Sequence, residues 1–326
     1  MTLAIAIQMD PVESINIDAD STFVIALEAQ RRGHRLFYYQ PKHLTLRRDK
    51  LVAYGWPLTL ERQKGAHFSL GEPRTVELAD MDVVLLRQDP PFDLAYITST
   101  HLLEHLPSRV LVCNDPVQVR NAPEKLLVMR YPELMAPTLV TANREEIEAF
   151  RNEHEDIIVK PLFGCGGAGV FHLKPGDENL SSVLELFGQL YPREPLMVQR
   201  YLPEIRNGDK RIILIEGEPV GAVSRMPQCG EARANFHSGG QAARTMLTER
   251  ERAICTAIGP FLRANGLLFT GIDVIGDYLT EINVTSPTGL QQINRLDGVC
   301  LEALVMDAIE TRLAAARAKL SPQKRS

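Results

Sequence analysis

The stretch that decides the fold reads IIVKPLFGCGGAGVFHLKP, residues 157–175. Its glycines fit the G-x-G-x-x-G pattern of dinucleotide-binding turns, but such a turn must open a helix whose N-terminus faces the phosphates. Here the residues after Gly169 are β-branched and aromatic and stop at Pro175, which is typical of a strand. A strand, glycine loop and strand in succession predict a flap whose backbone N–H groups bind phosphate. A plain flexible turn has the same composition.

Lys160 favours the phosphate interpretation. It lies on the strand before the glycine loop, in Ile-Val-Lys-Pro. An isolated ammonium group amid apolar neighbours must either reach solvent at a sheet edge or meet an anion. The lysine and the glycines together therefore predict a triphosphate site.

A second polar group lies in GIDVIGDYLTEINVTSP, residues 271–287. Glu281 and Asn283 share one face of a strand because they are two residues apart. A hairpin centred on Asp277 places Asp273 opposite Glu281, whereas a two-residue turn would mismatch the apolar faces. Two carboxylates and an amide oxygen suit Mg²⁺, which completes its shell with substrate phosphates. The alternative is the solvated face of a sheet.

A third stretch carries basic residues. Asp209, Lys210 and Arg211 enter a predicted strand, and Arg225 lies on its hairpin partner. Cations close to a magnesium-bound triphosphate stabilise charge on a transferring phosphoryl group. A solvated run of charges is the ordinary alternative. The polar segment that follows, residues 228–244, is typical of a mobile loop or lid.

The composition narrows the class of protein. A length of 326 residues favours about two domains. The 36 basic and 41 acidic residues give a net charge of −5, which disfavours a nucleic-acid-binding protein. The five cysteines are widely spaced without a C-x-x-C pair, which predicts a reduced, cytoplasmic compartment. The first residues read as a strand rather than a signal peptide, and no apolar run approaches the roughly 18 residues of a membrane span.

The order of predicted elements changes once along the chain. Strands and helices alternate over the first 122 residues and predict parallel βαβ units, with a less regular stretch around Trp56. A helix is predicted over residues 124–135. Mostly antiparallel strands follow, and a helix from about residue 300 to residue 320 ends the pattern.

His101, Glu104 and His105 match the H-x-x-E-H pattern of zinc peptidases, in which two histidines on a helix bind zinc and the glutamate is the base. Short motifs also match by chance, and nothing nearby supplies the third ligand that a catalytic zinc needs. Two surface histidines beside an apolar helix stripe are the alternative.

The order of these motifs resembles the bacterial glutathione synthetases, which are ATP-grasp ligases, over almost the whole chain. The segments that carry the resemblance are MDPVESINI (9–17), LLRQDPPFD (85–93), EKL (124–126), IVKPLFGCGGAG (158–169), GDKR (208–211), GIDVIGD (271–277) and TEINVTSPTG (280–289). It implies an N-terminal parallel-sheet α/β domain over residues 1–122. An ATP-grasp domain of two α+β lobes follows over 123–318, and a basic tail covers 319–326.

The resemblance also implies the reaction. With ATP and Mg²⁺, the enzyme would join γ-glutamylcysteine to glycine through an acylphosphate and release glutathione, ADP and phosphate. It would be a cytoplasmic homotetramer. Neither nucleic acid nor a membrane is expected as a partner. An alternative within the fold is another carboxylate–amine ligase with a different amine acceptor. Two alternatives belong to other classes of function, namely the zinc peptidase and a nucleotide-binding module without catalysis.

Roles follow by matching motif positions. Arg211, Arg225 and Lys160 would be catalytic, Asp273, Glu281 and Asn283 would hold Mg²⁺, and Arg87, Asn16, Arg233, Asn235, Ser286 and Thr288 would contact peptide or glycine. The nucleotide would be bound by Lys125, Lys160, Gly164, Gly166, Gly167, Gly169, Gln199, Tyr201, Leu202, Asp209 and Lys210. The chain departs from the family at Cys165 and Gly169, where a larger residue and a small hydroxyl are expected, and in Gln-Ala-Ala after the glycines of the lid.

Overall fold

The chain opens with an α/β unit. The computed structural model describes residues 2–164, 166–227 and 239–320. In the first unit the elements are β1 (Ala4–Gln8), α1 (Ser21–Arg31), β2 (Arg35–Tyr39), β3 (Leu44–Arg47), β4 (Lys50–Leu60), β5 (Phe68–Leu70), β6 (Arg74–Glu77), β7 (Val83–Leu86), α2 (Leu94–Leu103), β8 (Leu111–Cys113) and α3 (Pro116–Asn121).

The sheet of this unit has a parallel centre and antiparallel edges. Strands β2, β1, β7 and β8 pair in parallel in that order, which confirms the predicted βαβ units. The expectation of an irregular stretch around Trp56 is wrong, because β4 is an eleven-residue strand there. Gly55 and Pro57 interrupt its apolar alternation. The glycine is needed because a Cβ at this position would lie 2.2 Å from the carbonyl oxygen of Tyr38.

A smaller antiparallel lobe follows. Its sheet has the order β11-β10-β12-β9, and its core lies between this sheet and two helices. The helix expected over residues 124–135 ends at Leu127 and is followed by 3-10 turns. The reason is Pro132, which lacks an N–H donor and disfavours helix in the residue before it. The elements are α4 (Glu124–Leu127), β9 (Thr138–Thr141), α5 (Arg144–His154), β10 (Ile157–Pro161), β11 (Phe171–Leu173), α6 (Leu180–Leu190) and β12 (Leu196–Arg200).

The second antiparallel lobe carries a five-stranded sheet in the order β15-β14-β13-β16-β17. Part of the segment expected to be a loop over residues 228–244 is strand β15, whereas residues 228–238 lie outside the described residues. The elements are β13 (Asp209–Ile215), β14 (Glu218–Met226), β15 (Gln241–Arg244), α7 (Glu249–Ala264), β16 (Phe269–Ile275), β17 (Tyr278–Asn283), α8 (Leu290–Asp297) and α9 (Leu301–Leu320).

The two C-terminal helices, α8 and α9, pack against both this lobe and the first unit. Helix α8 escapes prediction because it is only eight residues long and begins after Gly289, which offers no side chain to cap it. Helix α9 confirms the predicted last helix, and Val305 and Ile309 pack in one core with residues of α1 and β1. Among the described residues, no helix is both long enough and apolar enough to cross a membrane.

Candidate active site

A cavity of about 780 Å³ lies where the three sheets meet. Most of the predicted site residues line it, and Arg233 and Asn235 lie outside the described residues. The lining residues predicted from the sequence are Asn16, Arg87, Lys125, Lys160, Gly164, Gly166, Gly167, Gln199, Tyr201, Leu202, Asp209, Arg211, Arg225, Asp273, Glu281, Asn283, Ser286 and Thr288.

The glycine loop leads from β10 back to β11, as predicted. Gly166, Gly167 and Gly169 have positive φ angles of 64°, 77° and 71°, a conformation that favours glycine. Gly169, which was predicted to contact the nucleotide, does not line the cavity. A Cβ on Gly169 would lie 3.1 Å from Pro161 Cδ and 3.4 Å from Phe187, so this residue serves the packing beneath the loop.

Two buried lysines meet at the base of the loop. The Lys125 ammonium donates to Glu124 Oε1 at 2.7 Å and to the Gly164 carbonyl at 2.5 Å, and it lies 3.6 Å from Glu281 Oε1. Burial opposes its charge, but the two glutamates outweigh burial and raise the pKa of Lys125. Burial lowers the pKa of Lys160 to about 8. Lys125 thus links the glycine loop to the acidic strand β17.

An ion-pair cluster covers the facing sheet. Both Asp273 oxygens accept from the Arg211 guanidinium, and Asp273 Oδ2 also lies 3.0 Å from Arg225. Arg225 in turn makes a two-pronged contact to Asp209, its register partner on β13. Burial alone would raise the pKa of Asp273, but the two guanidinium groups hold it well below its usual range. Both arginines are therefore fixed and charged beside the cavity.

The side chain of Lys210, a predicted nucleotide residue, turns away from the cavity. Its ammonium donates to the Met246 carbonyl at 2.9 Å and to Glu251 Oε2 at 2.7 Å, and it is absent from the cavity lining. The reason is strand alternation, because Asp209 and Arg211 occupy the cavity face and the residue between them must face the other side. Lys210 anchors the N-terminus of α7 instead.

The acidic hairpin has the predicted register but a different turn. Asp273 faces Glu281 as expected, yet the turn is the two-residue Gly276-Asp277 that the sequence argument rejected. The register shifts after Asp273, so that Thr280 is the extra residue of a bulge. Its hydroxyl donates to the Asp273 carbonyl at 3.0 Å. The bulge reconciles the short turn with the matched apolar faces.

Glu281 and Asn283 carry side chains of the kind that binds Mg²⁺, whereas both oxygens of Asp273 already accept from Arg211. Glu281 and Asn283 line the cavity from one face of β17, with Asp273 opposite. Within the described part of the chain, the buried Asn283 amide nitrogen has no hydrogen-bond partner, so the amide can turn its oxygen toward a cation. Carboxylate and amide oxygens are ligands that Mg²⁺ prefers.

The end of β12 forms another wall. The Gln199 amide donates to Thr138 Oγ1 at 2.9 Å, which ties its side chain to β9. The Tyr201 ring stacks on the His172 ring with a centroid distance of 3.9 Å. His172 in turn contacts Asp156 at 2.6 Å. This wall presents an aromatic and apolar surface, which suits a nucleobase.

The N-terminal unit closes the far end. Arg87 is 7% exposed, its guanidinium donates to Thr22 Oγ1 at 3.0 Å, and it lies over the Phe269 ring at 5.1 Å. Burial lowers the pKa of Arg87, against the opposing charges of Asp20 and Asp89. Residues missed by the sequence argument also line the cavity, namely Asp10, Asp20, Ser21, Glu124, Thr280 and Gln292. Of these, Asp10, Glu124 and Thr280 had a signal, because they lie in the MDPVESINI, EKL and TEINVTSPTG segments, whereas the other three lie outside those segments.

The geometry does not support the zinc-peptidase alternative. Helix α2 ends at Leu103, so Glu104 and His105 lie beyond it and the two histidines do not share a helix face. Glu104 contacts Arg120 and lies 3.3 Å from His101 Nδ1. The motif is a surface charge cluster.

Models of the prokaryotic glutathione synthetases match most of the chain. The N-terminal domain model matches residues 3–120, and the ATP-grasp domain model matches residues 124–298. A glutathione synthetase of Mesorhizobium japonicum is 56% identical over 310 residues, covering 95% of this chain and 99% of the relative. One from Vibrio cholerae is 42% identical over 318 residues, covering 96% and 99%. The crystal structure of D-cycloserine synthetase aligns with a TM-score of 0.67 at 16% identity, covering 95% and 100%, which shows a shared fold.

Proposed function

Because this chain belongs to the prokaryotic glutathione synthetase family, we propose that its central cavity joins the cysteinyl carboxylate of γ-glutamylcysteine to the amine of glycine. The chain is an ATP- and Mg²⁺-dependent ligase, as its family is. One observation carries the residue roles. A single cavity brings together a glycine loop, two buried lysines, an acidic strand and two arginines fixed by carboxylates.

The glycine loop and the lysines would bind the triphosphate of ATP. Gly166 and Gly167 line the cavity in positive-φ conformations, in which successive N–H groups form an anion-binding concavity. Lys125 and Lys160 add positive charge at the base of the glycine loop. Tyr201 and Leu202 supply the apolar wall for the adenine.

The acidic hairpin would hold Mg²⁺ through Glu281 and Asn283, with Asp273 opposite. When bound, the ion neutralises charge on the phosphate oxygens. Asp273 is also held by two arginines, so this carboxylate couples the metal site to the cations of the transfer step.

Arg211 and Arg225 would stabilise phosphoryl transfer by position and charge, since little covalent chemistry is left for the protein. A donor carboxylate oxygen bonds to the γ-phosphorus while the bond to the β–γ bridging oxygen breaks and ADP leaves. The glycine nitrogen then attacks the acyl carbon of the acylphosphate, and the carbon–oxygen bond to phosphate breaks. No cysteine of the chain is needed as a nucleophile.

The remaining assignments are part of the same proposal. Arg87, Asn16, Ser286 and Thr288 would contact the peptide or glycine, and Arg233 and Asn235 would act from the lid. The domain division after residue 122 is supported by the change from a parallel-centred sheet to antiparallel sheets. Cytoplasmic localisation agrees with the free thiols of Cys113, Cys255 and Cys300. A homotetramer is proposed from family likeness and is tested by sedimentation.

The deciding experiment measures phosphate release from ATP and Mg²⁺ with γ-glutamylcysteine, with and without glycine, in the wild type and in Glu281→Ala. We expect glycine-dependent release in the wild type and its loss in a variant that retains the native circular dichroism spectrum. Release that depends on another amine but not on glycine would point to a different carboxylate–amine ligase. If the protein binds nucleotide but turns over no substrate pair, it would be a nucleotide-binding module without catalysis.

A further inference from the structure

The end of the cavity opposite the glycine loop is acidic. Asp10, Asp20 and Asp89 line it, and Arg87 is the cation among them. Asp10 Oδ2 accepts from the Asp89 backbone at 2.7 Å, and Asp89 Oδ1 accepts from Ser286 at 2.6 Å. Asp20 lies deeper, where burial raises its pKa. Counted over the residues that the structure describes, three carboxylates and one guanidinium leave this end with an excess of negative charge.

In the described part of the chain, two buried polar atoms at this end have no hydrogen-bond partner. Ser21 is 1% exposed and Gln292 is 7% exposed, and both line the cavity. Within the described residues, neither the Ser21 hydroxyl nor Gln292 Oε1 has a hydrogen-bond partner. A buried polar atom without a partner is costly unless a ligand supplies one. These atoms therefore point to a ligand independently of the acidic charge.

Helix packing brings these atoms to one place. The Gln291 amide donates to the Asp20 carbonyl at 2.6 Å and to the Ile17 carbonyl at 3.0 Å, so the start of α8 abuts the start of α1. Gln292 is the next residue on α8, and Ser21 is the first residue of α1. The side chains of Asp20, Ser21 and Gln292 thus offer three oxygen acceptors at one end of the cavity.

We propose that Asp20, Ser21 and Gln292 bind the α-ammonium group of the γ-glutamyl end of the donor peptide. A primary ammonium group has three N–H donors and one positive charge, which matches three acceptors and an acidic surrounding. Arg87 lies beside them and suits the neighbouring α-carboxylate. The inference rests on the proposed function, because it orients the donor in that cavity.

The chemistry distinguishes the donor from the acceptor. The amine of glycine must lose a proton before it attacks, and a nearby carboxylate would stabilise its protonated form. An acidic subsite therefore suits an ammonium group that takes no part in the reaction. The loop after β17 connects the two ends, since Arg87 contacts the Thr285 and Pro287 carbonyls and Arg211 contacts the Thr288 carbonyl at 3.1 Å.

The test compares γ-glutamylcysteine with its des-amino analogue, glutarylcysteine. We expect the wild type to prefer the amino-bearing donor in kcat/KM on the order of 10- to 100-fold, as for a charge-assisted hydrogen bond. In Asp20→Asn this preference should fall close to unity with an unchanged KM for ATP. Asparagine retains the N-cap that Asp20 Oδ1 provides to the Phe23 backbone at 2.6 Å, so the helix is kept.

Two further variants serve as a control and as a second test. Asp18→Asn removes an exposed carboxylate that pairs with Lys64 and is absent from the cavity lining, so it should keep the wild-type preference. Gln292→Met should reduce the preference without the loss of a charge. An Asp20→Asn enzyme that still prefers γ-glutamylcysteine as strongly as the wild type would overturn the inference, as would a raised KM for glycine alone. Absence of glycine-dependent turnover in the wild type would instead overturn the proposed function, and the inference with it.

Discussion

The two ends of the cavity manage charge in opposite ways. At the phosphate end, Arg211, Arg225 and Lys125 each contact a carboxylate of the chain, so their positions are fixed by the protein itself. At the donor end, Ser21 and Gln292 keep buried polar atoms without partners in the described structure. The cations of the phosphate end are therefore positioned before the substrates arrive, whereas the buried polar atoms of the donor end, like the Asn283 amide nitrogen at the proposed metal site, are completed by a ligand.

The largest expected effect comes from breaking the arginine cluster. Arg225→Leu would leave Asp209 without its bidentate partner and Asp273 with only one of its two, both in a buried setting. Removing one partner of a buried ion pair costs about 3–5 kcal/mol, so we expect a loss of that size in the free energy of unfolding, together with loss of turnover. Urea denaturation measures the first and phosphate release the second.

The matched control is Arg144→Leu, which removes an exposed arginine paired with Glu148 four residues along α5. Exposed helical pairs contribute about 0.3–0.5 kcal/mol, so this variant should unfold almost as the wild type does. Equal losses in the two variants would contradict the view that the cluster is fixed by buried pairing.

A second substitution tests the acidic strand while leaving the arginine cluster intact. Glu281→Gln keeps the shape of the side chain but removes the charge proposed to hold Mg²⁺. Substitution of a residue that only supports a metal ligand typically lowers metal affinity or activity 10- to 100-fold. Substitution of a ligand itself should lower activity by at least about 100-fold. A titration of activity against Mg²⁺ should show this as a higher requirement for the ion. An unchanged requirement would remove Glu281 from the metal site.

Much of the phosphate end could be predicted from local pattern. A two-residue period placed Glu281 and Asn283 on one face, and the glycines marked the loop after Lys160. The same period would have excluded Lys210, because its neighbours on both sides face the cavity. Its place inside the GDKR motif predicts a nucleotide contact that strand alternation opposes, so adjacency in sequence is a poor guide to adjacency on a strand.

The donor end could not be predicted in this way. Its contacts join residues from opposite ends of the chain, as in the hydrogen bond from Gln291 to the Asp20 carbonyl. Helix α8 is also only eight residues long and has no side-chain cap at its start, so it lacks the usual signals of a helix. The bulge at Thr280 was missed for a related reason. An extra residue in one strand becomes visible only when both the turn and the pairing are known.

The next effect is a dependence on pH at the phosphate end. Burial, together with the charge of Lys125, lowers the pKa of Lys160 to about 8 from its usual 10.5, although Glu281 opposes this. If the ammonium form binds the triphosphate, ATP binding should weaken as the pH rises through about 8, by about tenfold at one unit above it. Calorimetric titration of ATP from pH 7 to pH 9 measures this change. Lys160→Met should bind ATP weakly throughout, without that step.

The same group has a stability consequence of opposite sign. The unfolded chain holds the Lys160 proton up to about 10.5, whereas the folded chain releases it near 8. The unfolded state therefore binds more protons in this window, and the contribution of this group to the free energy of unfolding rises with pH between these two values. The wild type should gain this contribution relative to Lys160→Met. A pH dependence of ATP binding that survives in the variant would assign the titration to another residue.

The smallest expected effect concerns the bulge. Thr280→Val removes the hydroxyl that donates to the Asp273 carbonyl at 3.0 Å but keeps the branched shape, so we expect a loss of about 1 kcal/mol in the free energy of unfolding, with turnover retained. Thr270→Val is the matched control, because that buried hydroxyl contacts the Leu267 carbonyl on the same sheet, away from the cavity. Similar stability losses in both variants would make Thr280 a structural residue of the bulge. A loss of turnover confined to Thr280→Val would instead mean that its hydroxyl acts on a substrate, and the phosphate end would then use a side chain that the protein already holds by a hydrogen bond.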